Sequence, residues 1–434
     1  MGSLQPEEAK IFYRHRGKDS VFKAPRGTRD IQPDEQPYWR YIENRASKIA
    51  RLYGFKRLDT PVFEDSGLFS RSVGAGTDIM DKETYTFNDR GNDPLTLRPE
   101  GTAPVCRAYL EHGMQNLPQP VRLYYFCPVF RYDRPQAGRY REHHQFGVEV
   151  IGDSDPMVDM EVVQIGWDLM DGLGLKGLSL SLNSIGDKKC RPHYIKELQR
   201  YYKRYIGQLC KDCIQRLDNN PLRVLDCKQA SCAPLRDTAP ASTDHLCDEC
   251  QIHWDRLCKY LEISGIPFEV DHKLVRGLDY YTRMVFEITP PEEGAQSTIL
   301  GGGRYDGLIE ELGGKSIPGV GFATGMERLI LNIERQNIDV IVDEDPEYFL
   351  ASMDEKSAEL AVMLGVKIRE SGCSAIQGQQ GRGLRGQMCT ANTLNAKRVI
   401  IIGENEITNG SLTIRKMTNG DQETVMVDDF LAAL

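Results

Sequence analysis

Residues 274–287 combine two arginines, an aspartate and a tyrosine pair, the residue types best suited to bind a charged ligand. Arg276, Asp279, Tyr280 and Tyr281 precede a short apolar run that predicts a strand. Arginine keeps its charge and presents a rigid fork of donors to carboxylates and phosphates. Tyrosine rings and hydroxyls suit a flat, polar ring. The segment therefore indicates a binding site, although a surface turn with a structural ion pair would use the same residue types.

A second candidate is the run Arg-Pro-Glu-Gly-Thr at residues 98–102. Pro99 favours an extended backbone before it, and Gly101 lets the main chain approach a ligand closely. Glu100 and Thr102 then present a carboxylate and a hydroxyl two residues apart, which suits an ammonium group. The alternative is that these two residues only cap a helix predicted over residues 103–110.

Two apolar runs, residues 123–131 and 144–151, predict neighbouring strands. Alternation along the second strand places Gln145, Gly147 and Glu149 on one face. A glutamate on a buried strand needs a partner, and the glycine leaves space between the amide and the carboxylate. This face therefore predicts an open floor for a polar substrate.

Further arginines lie at places where they would reach the same region. Arg131 ends the first strand, and the charged loop that follows contains Arg134, Gln136 and Arg139. Arg328 lies in the first turn of a helix that follows the glycine-rich run 318–325. The glycines would let a strand lie under a flat base, but such a run before a helix is common.

Residues 187–270 are polar, helix-rich and contain most of the 12 cysteines. Two C-x2-C pairs, Cys210 with Cys213 and Cys247 with Cys250, are separated by about 33 residues, a spacing that can supply a tetrahedral zinc site. The pair Cys227 and Cys232 lies between them, so which four of the six cysteines would bind the ion stays open. The alternative is that the cysteines are incidental free thiols.

The composition bounds the class of protein. A length of 434 residues predicts two or three domains, and 40% apolar with 27% charged residues is typical of a soluble globular chain. The net charge of −9 neither supports nor excludes RNA, because binding depends on local basic patches. We see no apolar run long enough to cross a bilayer and no signal-peptide core. The sequence therefore predicts a cytoplasmic protein with reduced cysteines.

The pattern of elements predicts the domain limits. A helix is expected from about Pro33 to Leu52, followed by a strand over residues 55–63 that carries Pro61, and by a hairpin over residues 85–97. Acidic residues and Pro346 interrupt the pattern near residues 337–346. An α/β alternation follows, with strands at 348–350, 398–402 and 411–416, helices at 357–371 and 383–394, and a terminal helix. We predict a flexible leader at 1–20, a catalytic domain at 21–335 with the insertion 187–270, a linker at 336–346 and a small domain at 347–434.

The segments at residues 98–102, 130–131, 139–141, 276–281 and 325–328 stand in an order that resembles the histidyl-tRNA synthetase family of class II aminoacyl-tRNA synthetases. The resemblance covers nearly all of the chain from Lys23 onward. It implies an α+β fold: an antiparallel-sheet catalytic core with a helical insertion, followed by an α/β anticodon-binding domain. The helix and strand at residues 33–63 resemble the first class II motif, which implies a homodimer.

The resemblance also implies an activity and its cofactors. L-Histidine and ATP, with Mg²⁺ bridging the outer phosphates, would give histidyl-adenylate and pyrophosphate, and histidine would then pass to the 3′ end of its tRNA. Arg131 and Arg276 would bracket the α-phosphate as catalytic residues. Arg139 and Arg328 would hold the nucleotide. A structural Zn²⁺ is not implied by the resemblance and depends on the cysteine spacing alone.

The remaining roles follow in the same way. The histidine ammonium would be bound by Glu100, Thr102 and Gln145, and its imidazole by Glu149 and the tyrosines 280 and 281. Arg134 and Gln136 would reach the acceptor end of the tRNA. Two alternatives stay open: a non-catalytic regulatory subunit of ATP phosphoribosyltransferase, and a module that senses uncharged tRNA. The intact motifs and the extra C-terminal domain argue against both.

Overall fold

The computed structural model describes residues 22–72, 83–134, 138–291, 298–340 and 345–434. The chain divides after Val340 into two compact units, a boundary inside the predicted linker. Across the described ranges, no helix combines the length and apolarity that a membrane crossing requires. The predicted leader at residues 1–20 lies outside the described residues.

The first unit is built on an eight-stranded sheet in which all central pairings are antiparallel and both edge strands pair in parallel, in the order β1-β5-β6-β11-β10-β9-β7-β8. Its strands are β1 (Lys56–Arg57), β5 (Val121–Phe130), β6 (Glu142–Ile151), β7 (Ser179–Ser184), β8 (Glu269–Val270), β9 (Thr282–Thr289), β10 (Leu300–Arg304) and β11 (Gly319–Gly325). A separate three-stranded sheet contains β2 (Phe63–Asp65), β3 (Tyr85–Asn88) and β4 (Pro94–Leu97).

Helices cover both faces of the large sheet. They are α1 (Gln36–Leu52), α2 (Ser66–Ser72), α3 (Thr102–Glu111), α4 (Pro156–Gly172), α5 (Arg191–Lys203), α6 (Lys211–Asn219), α7 (Ala233–Asp237), α8 (Asp248–Ser264), α9 (Leu308–Glu311) and α10 (Met326–Arg335). One core lies between the sheet and α1, α4, α8 and α10. A second core on the other face joins α3, α5 and the insertion. The insertion is helical, as the sequence predicts.

Local chemistry fixes the helix ends. The side chain of Asp155 accepts the amide of Met157 at 2.9 Å and Pro156 opens α4, which is a favoured N-terminal arrangement. Helix α8 ends at Gly265, whose φ of 73° lies in the left-handed region that glycine adopts without strain. Helix α1 begins at Gln36 rather than at Pro33, with Glu35 as its N-cap.

The predicted strand over residues 55–63 is wrong, because the structure has the short strands β1 and β2 there. Arg98 is almost fully buried, and its guanidinium donates to the carbonyls of Thr60 at 2.7 Å and Pro61 at 3.0 Å. Those carbonyls are therefore held by a side chain instead of a neighbouring strand. Proline also lacks the amide that a continuous ladder requires.

The second unit has a five-stranded mixed sheet in the order β13-β12-β14-β15-β16, with its own apolar core. Its elements are β12 (Tyr348–Ser352), α11 (Glu355–Glu370), β13 (Ala375–Gln377), α12 (Leu384–Thr393), β14 (Arg398–Ile402), α13 (Glu404–Asn409), β15 (Ser411–Lys416), β16 (Gln422–Met426) and α14 (Val427–Ala432). The predicted α/β alternation is present, and β13, α13 and β16 are additional.

Candidate active site

A cavity of about 1580 Å³ lies over the large sheet in the first unit. The side chains predicted from separate parts of the sequence line it together: Glu100, Thr102, Arg131, Arg139, Gln145, Arg276, Tyr280, Tyr281 and Arg328. They come from the start of α3, the end of β5, β6, the segment before β9 and the first turn of α10. Glu149 and Arg134 are not part of this lining, and Gln136 lies outside the described residues.

A patch of small residues on the central strands lies under the cavity, and its members Gly301 and Ala323 line it. Gly147 of β6 pairs with Ala323 of β11, which pairs with Gly301 of β10. Two residues farther along these strands, Gly303 of β10 pairs with Gly321 of β11. We call these five residues the glycine floor.

Side chains lie directly against the glycine floor. A β-carbon at Gly301 would overlap the guanidinium of Arg276, and one at Gly303 would come within 2.9 Å of the Tyr281 ring. A β-carbon at Gly321 would overlap the carboxylate of Glu149. The glycines are therefore required because functional side chains approach the backbone closely.

The floor is less open at Gly147 than the sequence predicts. The ring of Tyr125, its cross-strand partner on β5, covers Gly147 and occupies the space that a β-carbon would need. Glu149 lies below the cavity lining with only 1% of its surface exposed. The predicted gap between Gln145 and Glu149 is thus filled by an aromatic ring.

Glu149 is held by three hydroxyl groups. Its Oε1 accepts from Thr102 Oγ1 at 2.7 Å and from Tyr125 at 3.2 Å, and its Oε2 accepts from Tyr305 at 2.7 Å. Burial raises the pKa of Glu149 to about 8, although the hydrogen bonds from Tyr305 and Thr102 act to lower it. The carboxyl group is therefore largely protonated at neutral pH when the cavity has no ligand.

This shift predicts a pH-dependent stability. The folded pKa lies above the ordinary value of 4.5, so between these values the folded protein binds a proton that the unfolded chain has lost. Stability then falls as pH rises, by about 1 kcal/mol per pH unit, until the folded group ionises. We expect the melting temperature of the wild type to fall relative to Glu149→Gln between pH 6 and about 8. Melting curves of both proteins over this range check it.

The matched control is Glu262→Gln, an exposed glutamate on α8. Its melting temperature should stay parallel to that of the wild type at every pH. A constant difference between wild type and Glu149→Gln would contradict a protonated Glu149.

Glu100 caps a helix, which was the alternative to ligand binding in the sequence analysis, and it also lines the cavity. Its carboxylate accepts the amides of Thr102 at 2.7 Å and Ala103 at 2.8 Å, so it caps the first turn of α3. The hydroxyl of Tyr280 lies 3.4 Å from Glu100 Oε2. Burial raises the pKa of Glu100, and these amide bonds act against that rise. The two readings of this segment are therefore compatible.

The arginines are fixed around the cavity by carboxylates and carbonyls. Arg276 forms an ion pair with Glu287 of β9, and Thr298 Oγ1 donates to Glu287 Oε2 at 2.7 Å. Burial acts to lower the pKa of Arg276, but Glu287 and Tyr281 together raise it above its ordinary value. Arg328 donates to the carbonyl of Thr298 at 2.6 Å. These side chains are thus positioned before any ligand binds.

Positive charge accumulates on one side of the cavity. Burial lowers the pKa values of Arg131 and Arg328, and the neighbouring Arg139 lowers both further. Burial and the same arginines lower the pKa of His143 to about 3, so this lining residue is neutral. An anion with several charges would relieve this repulsion.

Three residues that line the cavity have a buried polar atom without a hydrogen-bond partner in the described part of the chain: Gln145 at Oε1, and Arg236 and Arg276 at Nε. Gln145 and Arg276 belong to the predicted site. Buried polar atoms are nearly always paired in folded proteins. An anion at Arg276 and an ammonium at Gln145 would supply the missing partners.

Several site residues were not predicted from sequence. Glu287 could have been found, because a charged residue on a buried strand needs a partner. Tyr125 gave no signal, since only the strand register brings its hydroxyl to Glu149. Residues 301–305 stand out in the sequence as a triple glycine before an arginine and a tyrosine, and Tyr305 does reach Glu149. Arg304 has no place in the cavity: it is fully buried in an ion pair with Asp159 at 2.8 Å.

The four cysteines predicted as one zinc site are not together. Cys210 and Cys213 lie with Cys227 and Cys232, whereas Cys247 and Cys250 lie with Asp187 and Cys190. The prediction paired the two C-x2-C motifs by spacing alone, and helix packing separates them. All 12 cysteines are free.

Comparisons with known proteins match both units. A family model described as histidyl-tRNA synthetase matches residues 27–189 and 195–329, and one described as an anticodon binding domain matches residues 334–434. The histidine–tRNA ligase of Dehalococcoides mccartyi strain CBDB1 is 52% identical over 414 residues, covering 95% of this chain and 99% of the relative. That of Caldanaerobacter subterraneus is 46% identical over 412 residues, with 95% and 99% coverage.

Solved structures agree. Apo histidyl-tRNA synthetase from S. aureus has a TM-score of 0.81 at 39% identity and covers 95% of this chain and 99% of its own. A protein from Bacillus halodurans, described as an ATP phosphoribosyltransferase regulatory subunit or histidyl-tRNA synthetase, has a TM-score of 0.64 at 23% identity and covers 89% of this chain and 99% of its own. The second likeness concerns the fold alone.

Proposed function

The chain belongs to the histidyl-tRNA synthetase family and is an aminoacyl-tRNA synthetase that joins histidine to its tRNA, and we propose that the cavity over the glycine floor is where histidine is activated with ATP. The observation that carries this proposal is the convergence of four arginines and an unpaired amide oxygen in one cavity. The relatives that are 46–52% identical are ligases, which disfavours a regulatory subunit or a tRNA sensor.

Arg131 and Arg276 bind the α-phosphate of ATP in this proposal. They approach from two sides, since Arg131 follows β5 and Arg276 precedes β9. Arg139 and Arg328 bind the nucleotide and its outer phosphates. Magnesium ions of the kind the family uses would neutralise those outer phosphates. The ion pair of Arg276 with Glu287 keeps its guanidinium flat against Gly301, which leaves its free Nε for the phosphate.

The chemistry needs no nucleophilic side chain. An oxygen of the histidine carboxylate attacks the α-phosphorus, a new O–P bond forms, and the bond to the bridging oxygen breaks to release pyrophosphate. The carboxylate is already ionised at neutral pH, so no protein base is required. The protein contributes orientation and fixed positive charge where negative charge develops, which are the main sources of catalysis in phosphoryl-group transfer.

Histidine binds at the other end of the cavity. Glu100, Thr102 and Gln145 bind the ammonium group, and Tyr280 and Tyr281 enclose the imidazole. Tyr281 hydrogen-bonds one imidazole nitrogen. We propose that Glu149 hydrogen-bonds the other nitrogen after the Tyr125 ring moves off Gly147. A site that hydrogen-bonds both nitrogens would reject other amino acids by about 10⁴-fold or more, because its buried polar groups would be left unpaired.

The tRNA contacts both units in this proposal. Arg134, at the described end of the charged loop, contacts the acceptor end, and the predicted role of Gln136 stays a prediction. In the second unit Arg382 and Arg385 are exposed at the start of α12, whereas Lys397 and Arg398 are paired with Glu347. The two exposed arginines are therefore the proposed contacts to the RNA backbone.

We propose that the protein is a cytoplasmic homodimer. Val62, Phe63 and Phe87 are exposed apolar side chains on the small sheet next to α2, and the two phenylalanine rings contact each other at 6.5 Å. Exposed apolar patches of this kind mark protein interfaces. Sedimentation velocity of the purified protein measures the oligomeric state.

The test of the proposed function is ATP–pyrophosphate exchange measured with each amino acid in turn. Exchange that depends on histidine, followed by charging of histidine-specific tRNA, is the expected result. A protein that gives no exchange with histidine would refute the proposed activity and favour a non-catalytic role.

A further inference from the structure

The insertion contains a cluster of four thiols that the reaction does not use. Cys210, Cys213, Cys227 and Cys232, which we call the thiol cluster, come from α6 and from the turns that precede and follow it. Cys213 and Cys232 are fully buried and Cys227 is 3% exposed. Their sulfur atoms all lie within 4.8 Å of one another.

The spacing of the sulfur atoms fits one metal ion. Four ligands at the usual zinc–sulfur distance form a tetrahedron whose sulfur atoms are about 3.8 Å apart. The Sγ atoms of Cys210 and Cys227 are 3.8 Å apart, far longer than a disulfide bond. An iron–sulfur cluster would hold the four sulfur atoms farther from one another than a single ion does.

The surroundings stabilise sulfur atoms that carry negative charge. The amide of Cys210 donates to Cys232 Sγ, and the amide of Gln229 donates to Cys227 Sγ, each at 3.4 Å. Hydrogen bonds to the ligand atoms are a regular feature of metal sites, because they orient the ligands and spread their charge. Packing of neutral thiols would not require these donors.

The elements around the thiol cluster are short. Helix α6 has nine residues and α7 has five, and single turns of 3₁₀ helix separate them. Leu217, Val224 and Leu225 pack them into the second core, and a metal would add a cross-link within this short-element region. All four thiols are free for such a cross-link.

This region forms a wall of the cavity. Asp212, Arg216 and Arg223 line the cavity beside the thiol cluster. Asn220 donates to Asp279 Oδ1 at 2.7 Å, so the wall is bonded to the segment that carries Arg276. The region that contains the thiol cluster is therefore connected to residues 276–281 by this hydrogen bond.

We propose that the thiol cluster binds one structural Zn²⁺, and that this ion holds the cavity wall against the segment 276–281. Four thiolates close the coordination sphere, so the ion takes no part in the chemistry. The metal site stands independently of the proposed function, whereas its effect on exchange rests on that function. The second group, around Asp187, is a weaker candidate because its carboxylate already accepts the amides of Lys189 and Cys190.

The first test measures the metal content of the full-length protein, purified without chelators, by inductively coupled plasma mass spectrometry. The wild type is expected to contain one more equivalent of zinc than Cys213→Ser, and to melt several degrees higher. Cys258→Ser, a half-buried cysteine outside both groups, is the matched control and should keep the wild-type zinc content. Equal zinc in wild type and Cys213→Ser, or iron in place of zinc, would overturn the proposal.

A second measurement covers the case in which Cys213→Ser does not fold. A mercurial thiol reagent added to the wild type with a zinc indicator should release the bound ion, and no release would also overturn the proposal. Removal of the ion is expected to raise the histidine KM in exchange severalfold, and added Zn²⁺ should reverse this. Zinc release without any change in exchange would refute the link to the cavity but not the metal site. If the wild type contains zinc but shows no histidine-dependent exchange, the proposed function is refuted and the metal site is not.

Discussion

Replacing Arg276 with alanine is expected to slow histidine-dependent ATP–pyrophosphate exchange by about 10²- to 10³-fold. The Arg276 side chain lines the cavity and is 22% exposed, so the guanidinium can contact the α-phosphate as negative charge develops there. Because no side chain acts as a nucleophile or base, the rate depends on this positive charge, and Arg131 on the other side of the α-phosphate replaces it only in part. The measurement is exchange kinetics at saturating histidine and ATP.

The shape of the group matters as well as its charge. Arg276→Lys keeps the charge but loses the planar fork that lies flat on Gly301, so we expect it to recover only a small part of the lost rate. Arg200→Ala, an exposed arginine on α5 paired with Glu197, is the matched control and should exchange like the wild type. Removing Arg276 also leaves Glu287 without its ion-pair partner, so melting curves must show that the variant is folded.

Exchange by folded Arg276→Ala within severalfold of the wild type would contradict the catalytic role. In that case Arg276 would be a structural partner of Glu287, the simple ion pair that the sequence also allowed.

Ending the chain after Val340 is expected to leave adenylate formation nearly intact but to lower tRNA charging by about 10²-fold or more at limiting tRNA. The second unit has its own sheet and core, so its removal does not open the core of the first. All residues assigned to histidine and ATP lie before residue 340. The truncated protein loses the second point of attachment to the RNA.

Two assays on one preparation check this separation. Exchange reports the first step, and transfer to tRNA reports the whole reaction. Arg382→Ala/Arg385→Ala in the full chain is the finer variant, and its charging defect should shrink as the tRNA concentration rises. Unimpaired charging by the truncated protein would show that the second unit does not bind tRNA.

Much of the candidate site could be predicted from sequence because the residues that bind charge are limited in type and stand in a fixed order. Arg131, Arg276 and Arg328 are far apart along the chain, and they meet in one cavity as the resemblance implies. The strand at 398–402 follows from its apolar run, and the structure has it with the same limits.

Other features depend on neighbours that sequence does not reveal. Whether Glu149 faces the cavity is decided by Tyr125, a residue on another strand, through the register between them. The four cysteines of one group could not be chosen from sequence because the six cysteines form three closely spaced pairs, and only packing brings two of these pairs together. The break at Pro61 depends on Arg98, which is 37 residues away in the sequence.

The glycine floor brings hydrogen-bonded main chain directly under the side chains that the proposal assigns to the substrates. Main-chain atoms in the middle of a sheet have no rotamers, so the level at which Arg276, Tyr281 and Glu149 lie is fixed, while residues farther from the sheet can still adjust. A β-carbon at Gly301 or Gly303 would push Arg276 or Tyr281 away from the sheet. We therefore expect changes in specificity within this scaffold to arise from the walls of the cavity, where side chains can be exchanged without altering that level.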